Sequence, residues 1–300
     1  MGNQSQAALL PQATSTQVAV GHKQTRFGLD RIKTDDIAAH LALELVSVEF
    51  GSRKSRSLAI ENVSLDIPPG EFISIVGPSG CGKSTVLNVL AGFQTPTSGH
   101  ATIDGRPITA PGPERGVVFQ QYSLFPWLKV RRNVEYGLRM RGVPRQERQE
   151  IARDLLRLSG LLAYENHFPD QLSGGMRQRV GIVRALAANP RVLLMDEPFG
   201  ALDSQTRSIM QEILLDIWEK SRLSVLFITH DIEEAVFLSD RVHVMSSRPG
   251  KICASFDISL PRPRRYEQLA SPEAASISND IRALIRSETV KAMGTERGSS

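Results

Sequence analysis

Short apolar runs, separated by turn-forming residues and by stretches of helical period, set the frame of this 300-residue chain. Residues 41–50 largely alternate apolar and polar side chains, as a strand with one covered face does. A second strand is predicted over 60–67, and Pro68-Pro69-Gly70 turns the chain into a third, Phe72-Ile73-Ser74-Ile75-Val76. Ala101-Thr102-Ile103 and Gly116-Val117-Val118-Phe119 predict two more. Val192-Leu193-Leu194-Met195 is apolar throughout, and 224–229 nearly so, as parallel strands buried on both faces require. Arg241-Val242-His243-Val244-Met245 closes the core at Pro249-Gly250. Between these strands the period becomes helical. Ile151, Leu155, Leu158 and Leu162 recur at spacings of four, three and four, with Arg and Glu on the opposite, solvated face. An amphipathic helix is predicted at about 272–287. Residues 1–40 are rich in Gln, Ser, Thr and Ala without sustained period and are expected to be a flexible extension. The alternation of strands and helices predicts an α/β protein with a parallel sheet.

The third strand leads into Gly77-Pro78-Ser79-Gly80-Cys81-Gly82-Lys83-Ser84-Thr85, which fits G-x-x-x-x-G-K-[ST], and a helix-forming run follows. Strand, glycine-rich loop and helix N-terminus, in that order, are the context in which this pattern holds phosphate. The glycines let successive N–H groups turn inward on phosphate oxygens, and the helix adds the positive end of its dipole. Lys83 is placed to reach the β- and γ-phosphates, and the Ser84 hydroxyl to ligate Mg²⁺. The stretch therefore predicts a nucleoside triphosphate site, with each residue from Gly77 to Thr85 a candidate contact.

Later strands also end on chemistry. The strand at 192–195 stops at Asp196-Glu197-Pro198. Adjacent carboxylates at the end of a buried strand are costly unless a cation or substrate neutralises them, and open α/β sheets bind ligands at that edge. Asp196 suits Mg²⁺ through water, and Glu197 suits a base for an attacking water. The strand at 224–229 ends on His230, so Gly77, Asp196 and His230 are expected to meet on one sheet edge. Gln120 ends the strand at 116–119. Ser173-Gly174-Gly175, entering another helical run, forms a second anion-binding turn by the same dipole argument. Two phosphate-sized sites for one triphosphate are redundant unless each completes a pocket in a different copy of the protein. Phe50, shortly before the phosphate loop, is either core or a platform for a purine ring. Leu124-Phe125-Pro126-Trp127-Leu128 either packs inside the domain or forms an exposed patch that receives a partner.

Charge and cysteine usage narrow the setting. A net charge of +4 from 36 Lys and Arg against 32 Asp and Glu does not favour nucleic acid as a partner. Cys81 and Cys253 are isolated, and one lies inside the phosphate loop, so a reducing compartment without structural disulfides is expected. No apolar run approaches the ~18–20 residues that span a bilayer, and Ala7-Ala8-Leu9-Leu10 is too short for a signal peptide. Any service to a membrane is expected from its cytosolic side.

In order and separation, these stretches resemble the nucleotide-binding subunit of an ABC transporter over about residues 41–287. The phosphate loop is 77–85, the lid-loop Gln is Gln120, and the signature is Leu172-Ser173-Gly174-Gly175-Met176. Asp196 and Glu197 are the aspartate and base, Ala201-Leu202-Asp203 follows, His230 is the switch, and Phe50 stands at the adenine-stacking position. Met176 departs from the commonest signature, which has Gln there. The resemblance implies a P-loop NTPase core with an antiparallel β subdomain and an inserted α-helical subdomain. It divides the chain into the extension at 1–40, an ATPase domain at 41–255 with the insertion at about 125–185, and a tail at 256–300. It implies ATP and Mg²⁺, the latter held by Ser84, Gln120 and Asp196. Catalysis would fall to Glu197, His230 and Gln120. Phe50, the phosphate loop, Ser173, Gly174, Gly175 and Asp203 would bind the nucleotide across a head-to-tail dimer.

The phrase Glu197-Pro198-Phe199-Gly200-Ala201-Leu202-Asp203 is similar to importer ATPases. Leu172-Ser173-Gly174-Gly175-Met176-Arg177-Gln178-Arg179, His230-Asp231-Ile232-Glu233-Glu234-Ala235-Val236-Phe237-Leu238-Ser239-Asp240 and Ser247-Arg248-Pro249-Gly250-Lys251-Ile252 look like the nitrate, sulfonate and taurine branch. This implies a separate membrane permease and, through it, an extracytoplasmic solute-binding protein, with the subunit on the cytoplasmic face of the inner membrane. The alternatives are a soluble ABC-type ATPase acting on nucleic acid or ribosomes, and a regulatory ATPase. Lys83 and Ser173 are only ninety residues apart, too close for the long coiled-coil insertion of the DNA-organising members.

Overall fold

Five strands, each four or five residues long, make the parallel centre of the molecule, and their order follows from which faces must be covered. The computed structural model describes residues 38–52, 55–121 and 123–297. The extension expected at 1–40 lies almost wholly outside the described residues. The strands are β1 (Leu41–Ser52), β2 (Ser55–Ile67), β3 (Phe72–Val76), β4 (Ser98–Ile103), β5 (Arg106–Pro107), β6 (Arg115–Val118), β7 (Val192–Asp196), β8 (Ser224–Ile228), β9 (Arg241–Met245) and β10 (Ile252–Asp257). The helices are α1 (Lys83–Ala91), α2 (Val130–Met140), α3 (Arg145–Leu158), α4 (Gly174–Ala187), α5 (Ser204–Ser221), α6 (Ile232–Leu238) and α7 (Pro272–Arg297).

One sheet has the order β10-β9-β3-β8-β7-β6, parallel except for β10. Its side chains divide with period two. Phe72, Leu193, Met195, Val225 and Phe227 face a core shared with α2 to α5. Ile73, Ile75, Val192, Leu194, Leu226 and Ile228 face a second core under α1 and the antiparallel sheet β2-β1-β4-β5. A sheet buried on both faces cannot alternate apolar with polar, so its strands read as unbroken apolar runs.

Strand β10 departs from the expectation that the core closes at Pro249-Gly250. Its residues alternate between half-buried and exposed, because an antiparallel edge strand has only one face to cover. It also supplies a partner for His243, which the sequence leaves alone: Nδ1 lies 2.7 Å from the Ser255 hydroxyl. Burial then depresses the His243 pKa to about 4. Helix α7 runs ten residues past the predicted end. Ala274 and Ile281 are buried with α6, β9 and β10 in a third core, so this helix is part of the packed structure.

Helix α2 packs on α3 and α4, beside the parallel sheet. The aromatic cluster that precedes α2 divides between the two expected arrangements. Phe125 is half-buried against Tyr136, with ring centroids 4.5 Å apart, whereas Trp127 is 71% exposed. No described helix is long and apolar enough to cross a membrane.

Candidate nucleotide site

Strand register brings the predicted strand ends together. Val118 pairs with Met195, Asp196 with Ile228, and Ile228 with Ile75, so Gln120, Glu197, His230 and Gly77 all leave the sheet on one edge. From there the phosphate loop wraps into α1. Gly82 is the residue before that helix, at φ +104°, a left-handed conformation suited to glycine. A Cβ there would stand 2.5 Å from Ile60 Cγ2 and 2.9 Å from the Ala59 carbonyl oxygen. The loop therefore seats against β2 only with glycine at this position. Lys83 is buried, and its ammonium donates to the carbonyls of Gly77 and Pro78, 2.9 Å each. Cys81 is buried within the same loop, where desolvation raises its thiol pKa. Pro78 is half-buried, and Ser79 and Gly80 are exposed at the tip. Ser84 is exposed and Thr85 half-buried in the first turn of α1.

The carboxylates occupy the centre of the edge. Burial raises the Asp196 pKa, partly opposed by a hydrogen bond from Ser84. Such a carboxylate gains from a cation placed beside it. Glu197 has φ +45°, a left-handed backbone that costs a non-glycine residue about 1–2 kcal/mol. That turn aims its side chain between two partners. Gln120 Nε2 donates to Glu197 Oε2 at 3.3 Å, and His230 Nδ1 lies 3.3 Å from the same oxygen. His230 is 65% exposed at its side chain, so the far side of its ring is open to solvent.

The remaining candidates form a second group. Ser173 caps α4, its hydroxyl accepting from the Met176 N–H at 3.3 Å. Gly174 and Gly175 begin the helix, and a Cβ on Gly175 would stand 3.3 Å from the Ala201 carbonyl oxygen. Asp203 caps α5 by accepting from the Thr206 N–H at 2.9 Å, which lowers its pKa. Helix α4 packs on α2, α3 and β6, whereas α1 packs on β7, β8 and the antiparallel sheet. Within one chain, then, the signature turn lies against the 201–203 loop. Phe50 pairs with Ser57 near the open end of β1 and β2, and is 47% exposed and outside the buried cores.

A model of the family described as ABC transporter matches residues 60–200, from β2 through the carboxylate turn. The chain is 48% identical over 253 residues to the nitrate import ATP-binding protein NrtD of Synechocystis, covering 82% of this chain and 95% of that one. It is 52% identical over 255 residues to the taurine import ATP-binding protein TauB of Rhizobium johnstonii, covering 82% and 97%. The chain belongs to the ABC transporter family. Among solved structures, the ATP-binding cassette MJ0796, a dimer in a post-hydrolysis state bound to ADP and Pi, superposes with a TM-score of 0.66. It is 34% identical, and the match covers 74% of this chain and all of that one.

As a member of this family, the chain carries one feature that the sequence reading leaves out. Glu234 is buried below the strand end that bears His230. Its sequence signal is the Asp231-x-x-Glu234 spacing, the pattern of a helix N-terminus, in which Asp231 accepts from the Glu234 N–H at 3.2 Å.

Proposed function

We propose that this chain is the ATP-hydrolysing subunit of an importer for a small anionic solute of the nitrate, aliphatic sulfonate or taurine type. The observation that carries the hydrolytic part of this reading is the meeting of Gln120 and His230 on one oxygen of Glu197. The names of the nitrate and taurine relatives support the solute class. The ATPase domain spans 41–255, with the helices at about 125–185 as its insertion and 256–300 as its tail.

In this reading Lys83 exchanges the carbonyls of Gly77 and Pro78 for the β- and γ-phosphate oxygens, while the loop N–H groups hold the triphosphate. Phe50 stacks on the adenine. Glu197 orients and polarises the attacking water, and His230 orients the γ-phosphate. Gln120 joins this edge to the helical insertion. The donors for a divalent cation are all hard oxygens: the Ser84 hydroxyl, the Asp196 carboxylate and the Gln120 amide oxygen. They suit Mg²⁺, which takes one or two protein carboxylates and completes its shell with water and phosphate. Bound there, Mg²⁺ would neutralise charge on the phosphates. Catalysis is then mostly positioning and charge neutralisation.

Ser173, Gly174, Gly175 and Asp203 complete the site of a second copy, head to tail. The dimeric cassette supports this arrangement. The exposed Trp127 and neighbouring Phe125 receive a membrane permease, which works with an extracytoplasmic solute-binding protein. The subunit sits on the cytoplasmic face of the inner membrane. Affinity capture of the tagged chain from gently solubilised membranes, followed by mass spectrometry, tests the assembly. A multi-span permease in about equal amount would support it. Recovery from the soluble fraction alone, with ribosomes, DNA or nothing, would leave the ATPase chemistry and remove transport.

A further inference from the structure

A carboxylate taken out of water is retained only where hydrogen bonds compensate it. Glu234 is nearly fully buried, and burial raises its pKa against the opposing hydrogen bonds from Thr229 and Gln211. Its two oxygens have different partners. Oε2 accepts from the hydroxyl of Thr229, and Oε1 accepts from Gln211 Nε2 at 2.8 Å. The pattern continues outward in one direction. Gln211 Oε1 accepts from the hydroxyl of Tyr266, whose ring stacks on Phe237 with centroids 4.4 Å apart. It also continues towards the site, because Thr229 Oγ1 accepts from the Asp231 N–H at 3.0 Å. That last bond spans His230. The residues on either side of His230 are thus tied to each other and to Glu234.

These partners come from three parts of the chain. Thr229 follows β8 and Asp231 caps α6. Gln211 lies on α5, the helix capped by Asp203, and Arg207 on the same helix meets Asp231 at 3.4 Å. Tyr266 belongs to the segment between β10 and α7.

We propose that Glu234 is a positioning residue for His230, and that the C-terminal segment, through Tyr266 and Gln211, completes the grip that holds it. Glu234 acts through the Thr229–Asp231 backbone and does not touch the nucleotide. The proposal rests on the reading of His230 as the residue that orients the γ-phosphate. It deepens that reading by making turnover depend on the C-terminal segment and on α5.

Single-turnover ATP hydrolysis and ATP affinity, measured on the purified full chain with Mg²⁺, test it. Glu234→Gln keeps one acceptor and sets an amide donor against the other of the two donors, and should slow hydrolysis by about 10-fold with ATP affinity within about twofold. Tyr266→Phe, which removes one hydroxyl, should slow it by about 2- to 3-fold and serves if Glu234→Gln does not fold. The decisive comparison is Glu234→Gln in a His230→Ala background. A residue acting through His230 should cause no further loss there. Wild-type rates in Glu234→Gln and Tyr266→Phe, or the same fold loss with and without His230, would overturn the proposal alone. A wild-type rate in His230→Ala would overturn both the proposal and the reading of His230 beneath it.

Discussion

Glu197 shows how a single residue can be legible in type but not in placement. Two adjacent acids after an apolar strand mark a charged sheet edge in any sequence. That Glu197 and not Asp196 turns towards Gln120 and His230 depends on its left-handed backbone, fixed by the N–H of Glu197 donating to the Ile228 carbonyl at 2.9 Å. Asp196 stays in the sheet, paired with Ile228 and bonded to Ser84. The division predicts different outcomes for the two acids. Glu197→Gln keeps the shape and the loop, so nucleotide affinity should hold while turnover falls at least about 100-fold, the range expected on loss of a general base. The stalled protein should elute as an ATP-dependent dimer in size-exclusion chromatography. Turnover near the normal rate would remove Glu197 from the role of base.

At the scale of elements, the segment after β10 is where structure adds most. Arg264 reads in the sequence as one of several basic residues among prolines. In the structure it is buried, and its guanidinium donates to carbonyls of Val236, Phe237 and Ser239 at the end of α6, and to Ile258 and Leu260. Carbonyls at a helix C-terminus lack intrahelical donors, and here a distant arginine supplies them. Burial lowers its pKa to about 10, so it stays charged at neutral pH. Arg264→Met should leave several buried carbonyls unpaired, costing about 3 kcal/mol and lowering the melting temperature by about 5–10 °C. Differential scanning calorimetry reads this directly. An unchanged melting temperature would mean that α6 is held without the strap. By contrast, β7 and β8 were fully legible, because a strand buried on both faces has no choice but to be apolar. The edge strand β10, with one face open, carries too weak a pattern to stand out.

At the scale of the whole molecule, the signature turn and the phosphate loop enter helices, α4 and α1, that pack against different elements. On the proposed head-to-tail reading, each chain would offer two half-sites. If each ATP is gripped by Lys83 of one copy and Ser173 of the other, inactive Lys83→Ala and Ser173→Ala chains should complement when mixed. The mixed dimer has one site with both changes and one with neither. ATP hydrolysis should therefore reappear on mixing, in proportion to the mixed dimer. Continued inactivity of a mixture shown to exchange subunits would place the whole site within one chain.

The sequence by itself determined the candidate chemical groups and the periodicities. The glycine-rich loop, the paired acids, the strand-end His230 and the apolar strands are local, and their residue types are constrained by neighbours a few positions away. Only the tertiary structure decided what depends on pairing across the chain. It set which oxygen of Glu197 meets Gln120 and His230, and it supplied a hydroxyl on β10 for His243. It also brought Tyr266 back against α5 and Arg264 against α6. A buried polar side chain takes its partner from whatever element folding lays beside it, and separation along the chain carries no record of that choice.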